Sequence, residues 1–181
     1  MNLWTAFRGL LLIAGFAASI SAVAAEVIYF GSLSGPAESP PNPSAGTGTT
    51  LVTIDSVAHH LVVDVTFSGL GSPDTAAHIH CCTMTPFALT AGVATQTPSF
   101  AGFPAGVTAG TYHNEFDTTL TGTFNPSFVS ANGGSLAAAE AALFYGIAHG
   151  LAYLNIHTGT YPGGEIRSFL YPDAVFANGF D

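Results

Sequence analysis

The sequence predicts an all-β protein, a Greek-key β-sandwich or barrel with one short helix on a crossover loop. Three observations indicate this class. Several short segments alternate apolar and polar residues with a period of two, which is the spacing of a half-buried strand. Turns rich in glycine and proline separate these segments, and the 181 residues include 21 Gly and 11 Pro. Only one segment carries apolar residues at helical spacing, so the helix is an addition to a β-domain.

The first 25 residues are typical of a secretory signal peptide. Arg8 lies in a short basic region, Gly9–Ile20 is apolar, and the small residues of positions 23–25 precede Glu26. A membrane anchor is the alternative, but the apolar run is short for a bilayer span. We therefore expect a secreted or periplasmic protein that loses residues 1–25 and then has no contact with a membrane. The remaining chain divides into a domain at residues 26–170 and a C-terminal tail at residues 171–181.

The charge balance excludes one class of partner. Removal of Arg8 with the signal peptide leaves Arg167 as the only basic residue against 11 carboxylates. Binding to nucleic acid depends on Lys and Arg side chains that neutralise phosphates. We therefore expect no nucleic-acid partner, whereas the acidic surface could attract cations.

The N-terminal half of the domain predicts four strands. The first is Glu26–Leu33, and the loop Ser34–Gly48 follows it, where four prolines prevent a continuous ladder. Thr49–Val57 and His59–Gly69 form a predicted hairpin because both alternate apolar and polar residues. Thr75–Cys81 alternates in the same way and is the fourth strand.

The middle of the chain predicts a long loop, a strand and the helix. Cys82–His113 is rich in Pro and Gly, and so long an irregular connection is usually functional or covers a site. Asn114–Phe124 alternates as a strand. A helix is predicted over Ser135–Ala148, with Ser135 as its N-cap and Gly150 as its stop. Its apolar stripe consists of Leu136, Ala139, Leu143 and Ile147.

The C-terminal stretch predicts an antiparallel hairpin. Leu151–His157 and Glu165–Leu170 both alternate, and Pro162, Gly163 and Gly164 supply the fixed and positive φ angles of a tight turn. A Val in place of either glycine is expected to cost about 1–3 kcal/mol if that glycine holds a positive φ. The face opposite the core would then carry Asn155, His157, Glu165 and Arg167.

Three motifs carry a resemblance to a known family. AAHIH at residues 76–80, NIHT at residues 155–158 and YPGGEIR at residues 161–167 resemble the CHRD domain, a module of chordin and of many exported bacterial proteins. The similarity extends from about Glu26 to Leu170. It implies a β-sandwich, and the role of such domains is poorly defined. We expect a secreted binding or structural module rather than an enzyme. The sequence also contains no GxSxG, HExxH or phosphate-binding Gly loop, so no catalytic residues are predicted.

The histidines suggest a second function, the binding of copper or zinc. His78 and His80 are two residues apart on a predicted strand, so their imidazoles share a face and could ligate one ion. His157 would be a third ligand if its strand lies beside theirs. The alternative is that these residues are polar groups on a solvated or loop-covered face, hydrogen-bonded to the backbone.

The HxH pattern on an exported sandwich is also similar to copper/zinc superoxide dismutase. The full set of copper and zinc ligands of that family is absent, and so is its active-site arginine, because Arg167 belongs to the second strand of the C-terminal hairpin. A dismutase-like oxidoreductase is therefore a distant alternative.

Cys81 and Cys82 are the only cysteines, and they are adjacent. In an exported protein they favour a disulfide bond between neighbouring residues. Two free thiols, intermolecular bridges, or soft metal ligands beside His80 are the alternatives.

Arg167 is expected to form an ion pair with Glu165 or Asp64, because a lone arginine is costly to bury. Anion binding is the other interpretation.

Overall fold

A computed structural model of the chain describes residues 26–172. The predicted signal peptide lies outside the described residues, as does the tail from residue 173 onward. The limits of both segments therefore stay predictions. No helix among the described residues is long and apolar enough to cross a bilayer.

The protein is mostly β, which confirms the predicted class. One curled antiparallel sheet contains eight strands in the order β4-β6-β7-β1-β2-β3-β5, with β8 also paired to β1. The strands are β1 Val27–Ser34, β2 Thr47–Asp55, β3 His60–Ser68, β4 Asp74–His80, β5 Gly110–Asp117, β6 Tyr153–Thr158, β7 Ile166–Phe169 and β8 Tyr171–Pro172. The helices are α1 Pro126–Ala131 and α2 Leu136–Ala148, with short 3-10 turns at Gly35–Ala37 and Thr121–Thr123.

The strand order has the character of a Greek key. β1, β2 and β3 form a meander, and β4 then returns to the β1 side instead of continuing beside β3. The hairpin β6–β7 is inserted between β4 and β1, so β4 pairs with β6. This insertion brings His78 and His80 beside the strand that carries His157.

The sheet curls around an apolar core that α2 covers. Fully buried residues of the strands and of the helix form one apolar cluster. From the strands it includes Val63, Ile79, Leu154, Ile156 and Ile166, and from the helix Leu143 and Ile147. The helix has the predicted limits, because the Ser135 side chain accepts a hydrogen bond from the Ala138 N–H and Gly150 follows with a φ of +68°. The buried Glu140 fixes α2 through hydrogen bonds with His59 of the β2–β3 turn and with Thr118, the residue after β5.

The predicted strand Asn114–Phe124 is wrong at both ends. The observed strand β5 begins at Gly110, so it takes the last four residues of the predicted loop, and it ends at Asp117. Beyond Asp117, hydroxyl groups bind the backbone and replace the ladder: Thr118 donates to the His59 carbonyl, and Thr123 to the Asp117 carbonyl. Helix α1 was not predicted, although Asn125 caps it and Pro126 begins it.

The predicted C-terminal hairpin is confirmed. β6 and β7 pair antiparallel, with Asn155 opposite Arg167 and Ile156 opposite Ile166. Glu165, however, does not share a face with Arg167. It precedes the first paired residue of β7, so the alternation of the strand does not extend to it. Its buried carboxylate instead accepts hydrogen bonds from the Ser44 and Thr158 hydroxyls and from the Gly71 N–H, each at 2.6 Å.

The predicted ion pair of Arg167 with Glu165 or Asp64 is therefore wrong. The carboxylate nearest to Arg167 is that of Glu38, with Nε and Oε2 3.9 Å apart, and both side chains are about 5% exposed. Asp64 pairs with His113 on the exposed side of β3. The Pro-rich loop between β1 and β2 delivers Glu38 to this position.

Cys81 and Cys82 form a disulfide bond in the structure. Cys81 is buried and Cys82 is exposed. The Cys82 sulfur lies 3.5 Å from the carbonyl oxygen of Ala142, and both sulfurs pack against Gly146, whose missing side chain leaves room for them. The bond thus holds the end of β4 against α2.

The cysteines provide the first prediction. Thiol titration of the denatured protein is expected to detect no free thiol, and two per chain after reduction, because each cysteine is bonded to its neighbour. Two reactive thiols in unreduced monomeric protein would contradict the disulfide.

The hairpin turn provides the second prediction. Gly164 has a φ of +128°, and an added Cβ would collide with Glu38 and Asn155, whereas Gly163 has open space around it. Gly164→Ala is therefore expected to lower the free energy of unfolding in urea by about 1–3 kcal/mol, and Gly163→Ala, the matched control, to change it little. Equal effects of the two substitutions would show that the turn is not strained at residue 164.

Candidate metal centre

Three histidines meet on the face of the sheet that is opposite the core. β4 carries His78 and His80, and β6 carries His157 on the neighbouring strand. Their ring centroids are 5.4 Å apart for His78 and His80, 4.9 Å for His78 and His157, and 6.0 Å for His80 and His157. One nitrogen of each ring lies within 4.8 Å of one nitrogen of each other ring.

A backbone carbonyl holds each of the three rings. The contacts are His78 Nε2 to Pro98 O at 2.7 Å, His80 Nδ1 to Ala91 O at 2.9 Å, and His157 Nδ1 to Pro162 O at 3.0 Å. A carbonyl only accepts hydrogen bonds, so the nitrogen that faces it must carry the proton. A neutral ring then has its lone pair on the other nitrogen, which is the tautomer that metal-binding histidines need.

The remaining nitrogens have no hydrogen-bond partner among the described residues. They are His78 Nδ1, His80 Nε2 and His157 Nε2, and all three atoms are buried. The alternative interpretation from the sequence was that these histidines are hydrogen-bonded to the backbone. It explains one nitrogen of each ring but not the other. The candidate ligand atoms of the three rings lie within 4.8 Å of one another. A cluster of buried imidazoles that each keep a free nitrogen is an arrangement that a first-row divalent ion would satisfy.

Burial also keeps the rings in the form that can bind a metal. Burial lowers the pKa of His78 to about 4, and the neighbouring His157 acts in the same direction. Burial likewise lowers the pKa of His80 and of His157. The three imidazoles are therefore neutral at pH 7, and no proton has to leave before they act as ligands.

The cover over the site is the loop of residues 81–109, here called the cover loop. It supplies the Ala91 and Pro98 carbonyls that hold His80 and His78. Tyr153 of β6 stacks on the His80 ring at 4.8 Å and donates a hydrogen bond to the Ala91 carbonyl. The long irregular segment predicted to cover a site thus does lie over these histidines.

A buried pair, Glu38 and Arg167, lies near the histidines, and the sequence did not indicate Glu38 as part of it. Glu38 is buried, which raises the pKa of its carboxyl to about 7, while the nearby Arg167 acts in the opposite direction. Arg167 itself donates from Nε to the Ala37 carbonyl at 2.6 Å and from Nη1 to the Leu89 carbonyl at 3.2 Å. Its guanidinium lies over the Tyr153 ring at 4.7 Å from the centroid.

Glu38 was missed because it lies in a Pro-rich loop without periodicity, far from the site in sequence. Asn155 was placed on the correct face by strand alternation, and it lies between His78 of β4 and Arg167 of β7 in the register.

The cysteines do not join the histidines. Both sulfurs are in the disulfide bond and point to α2, which leaves no thiolate to bind a metal beside His80. Within residues 26–172, the histidine cluster is the only group of three or more His, Cys, Asp or Glu residues whose ligand atoms converge. A second centre like that of the two-metal dismutases is not present in this part of the chain.

The comparison with protein families gives one match. The model of the CHRD domain matches residues 29–170. No curated protein and no solved structure matches the chain significantly. The matched segment includes β1 except its first two residues, all of β2 to β7, and all three histidines of the site. Because it extends over most of the sequence, the protein belongs to the CHRD domain family.

Proposed function

We propose that this CHRD protein is an exported, non-catalytic binding module that holds one divalent copper or zinc ion on His78, His80 and His157. The observation that supports the proposal is a cluster of three imidazoles whose candidate ligand atoms lie within 4.8 Å of one another, with one buried nitrogen on each ring that has no hydrogen-bond partner. Export rests on the predicted signal peptide at residues 1–25.

A purely structural role explains the cluster poorly. Each buried polar atom without a partner costs about 1–3 kcal/mol. Three such atoms together would lower the stability of the fold, whereas apolar side chains at the same buried positions would not carry this desolvation cost. A bound ion removes the cost because it takes all three lone pairs at once.

The donor set indicates the class of ion. Imidazole nitrogens are ligands of zinc and copper, whereas magnesium and calcium prefer oxygen. The usual order of affinity places copper above zinc. The cover loop and the buried position of the three nitrogens restrict access to the ion, which supports a binding role rather than a catalytic one.

Direct titration tests the proposal. Calorimetry of the untagged domain with Cu²⁺ and Zn²⁺ is expected to give one ion per chain, with copper bound more tightly. Replacing His78 and His80 together by Ala is expected to abolish binding. The matched control replaces His60 and His113, two histidines on the outer side of β3 and β5 that pair with carboxylates, and it should bind normally. No stoichiometric binding to the wild type, or equal binding to both double variants, would contradict the proposal.

The pH dependence of binding has a defined sign. Protonated imidazole cannot ligate, so the affinity must fall as the pH falls. Because the pKa values of the three ligands are lowered in the folded protein, the decline is expected to have its midpoint below the value of about 6.5 for free imidazole. Zinc affinities measured in steps between about pH 8 and pH 4.5 would show this. A midpoint at or above the free-imidazole value would mean that the ligands are solvated.

A further inference from the structure

We propose that the side-chain carbonyl oxygen of Asn155 is the fourth ligand of the ion, with Glu38 and Arg167 as the residues that position it. This inference rests on the metal site proposed above. It specifies a coordination sphere of three imidazole nitrogens and one amide oxygen, which leaves no position open.

The register of the sheet places Asn155 among the histidines. It lies directly opposite His78 on the paired strand β4, and it precedes His157 by two residues on β6. Side chains at these positions point to the same face of the sheet. Asn155 is only 2% exposed, and its Oδ1 is buried without a hydrogen-bond partner, like the free nitrogens of the three rings.

The amide of Asn155 has a defined orientation. Its Nδ2 lies beside Glu38, because a Cβ at Gly164 would meet both the Asn155 Nδ2 and the Glu38 Oε1 within 2.8 Å. The Oδ1 at the other end of the amide is buried and has no hydrogen-bond partner. The register places this residue directly opposite His78, so the geometry leaves the carbonyl oxygen for the histidine side.

Glu38 and Arg167 are positioning residues in this arrangement. Arg167 is tied by hydrogen bonds to two backbone carbonyls, and its Nε lies 3.9 Å from the Glu38 carboxylate. Glu38 in turn is the group toward which the amide NH₂ of Asn155 is directed. Gly164 makes room for both side chains, because a Cβ at that position would collide with Glu38 and with Asn155.

The chemistry of the four donors agrees with a closed site for a divalent ion. Three imidazoles and one carbonyl oxygen are neutral and contain no soft sulfur, so they suit Zn²⁺ or Cu²⁺ better than Cu⁺. All four donor atoms are buried.

The experiment compares four forms of the protein: wild type, Asn155→Leu, Asn155→Asp and Asn114→Leu. Zn²⁺ affinity is measured by competition with a chelator, and the visible spectrum of bound Co²⁺ reports the coordination. We expect Asn155→Leu to weaken Zn²⁺ binding about 10–100-fold, the range reached when groups around a metal are lost, and to change the Co²⁺ spectrum. Asn155→Asp keeps an oxygen donor and is expected to keep the four-coordinate spectrum. Asn114, a residue of β5 outside the site, serves as the matched control, and its variant should behave as wild type.

The possible outcomes separate the two proposals. If wild type and Asn155→Leu bind Zn²⁺ equally and give the same Co²⁺ spectrum, Asn155 is not a ligand, although the histidine site stands. If the wild type binds neither ion, the proposed function itself fails. Should the Leu variant not fold, a crystal structure of the zinc-loaded wild type decides the question. It is expected to show Asn155 Oδ1 at about 2.0–2.2 Å from the ion, and a water molecule in that position would overturn the inference.

Discussion

The structure depends on one constraint, that a polar group removed from water must find a partner. Most residues of β4, β6 and β7 are buried, because the apolar core lies on one face of these strands and loops, mainly the cover loop, lie on the other. The alternation of these strands nevertheless puts polar residues on the loop-covered face. Backbone carbonyls of the loops satisfy one nitrogen of each of the three histidines, and the donors of Arg167 likewise bind backbone carbonyls. The polar atoms that remain without a hydrogen-bond partner, mainly the second nitrogen of each histidine, mark the candidate site.

The same constraint explains the position of the only basic residue in the described chain. A buried guanidinium and a buried carboxylate are each costly alone. Glu38 of the β1–β2 loop and Arg167 of β7 lie close together, which reduces the desolvation cost of both. The 3.9 Å separation and the raised pKa of Glu38 describe a loose pair rather than a tight bidentate one. Such a pair is better suited to orienting a neighbouring amide than to stabilising the fold, since buried ion pairs contribute little net stability.

On the core side of the sheet, the disulfide and α2 fix the beginning of the cover loop. The covered histidines end at His80, and the next two residues are joined to each other and packed on the helix at Ala142 and Gly146. The first residues of the cover loop are thus fixed to the core, and the loop continues from there over the imidazoles. The sulfurs lie on the helix side, so the cysteines support the site without entering it.

Features that depend on near neighbours along the chain were predictable from the sequence. Strand alternation predicted the all-β class, the C-terminal hairpin, and the common face of His78 and His80, because the period of two follows from backbone geometry. Ser135 and Gly150 predicted the limits of α2 for equally local reasons. The tertiary structure alone sets the contacts between distant segments. It places β4 beside β6, which brings His157 to the other two histidines, and a loop about 130 residues earlier in the chain brings Glu38 to Arg167. It also decided the pKa values and the unsatisfied atoms, since burial is a property of the whole fold and no local pattern contains it.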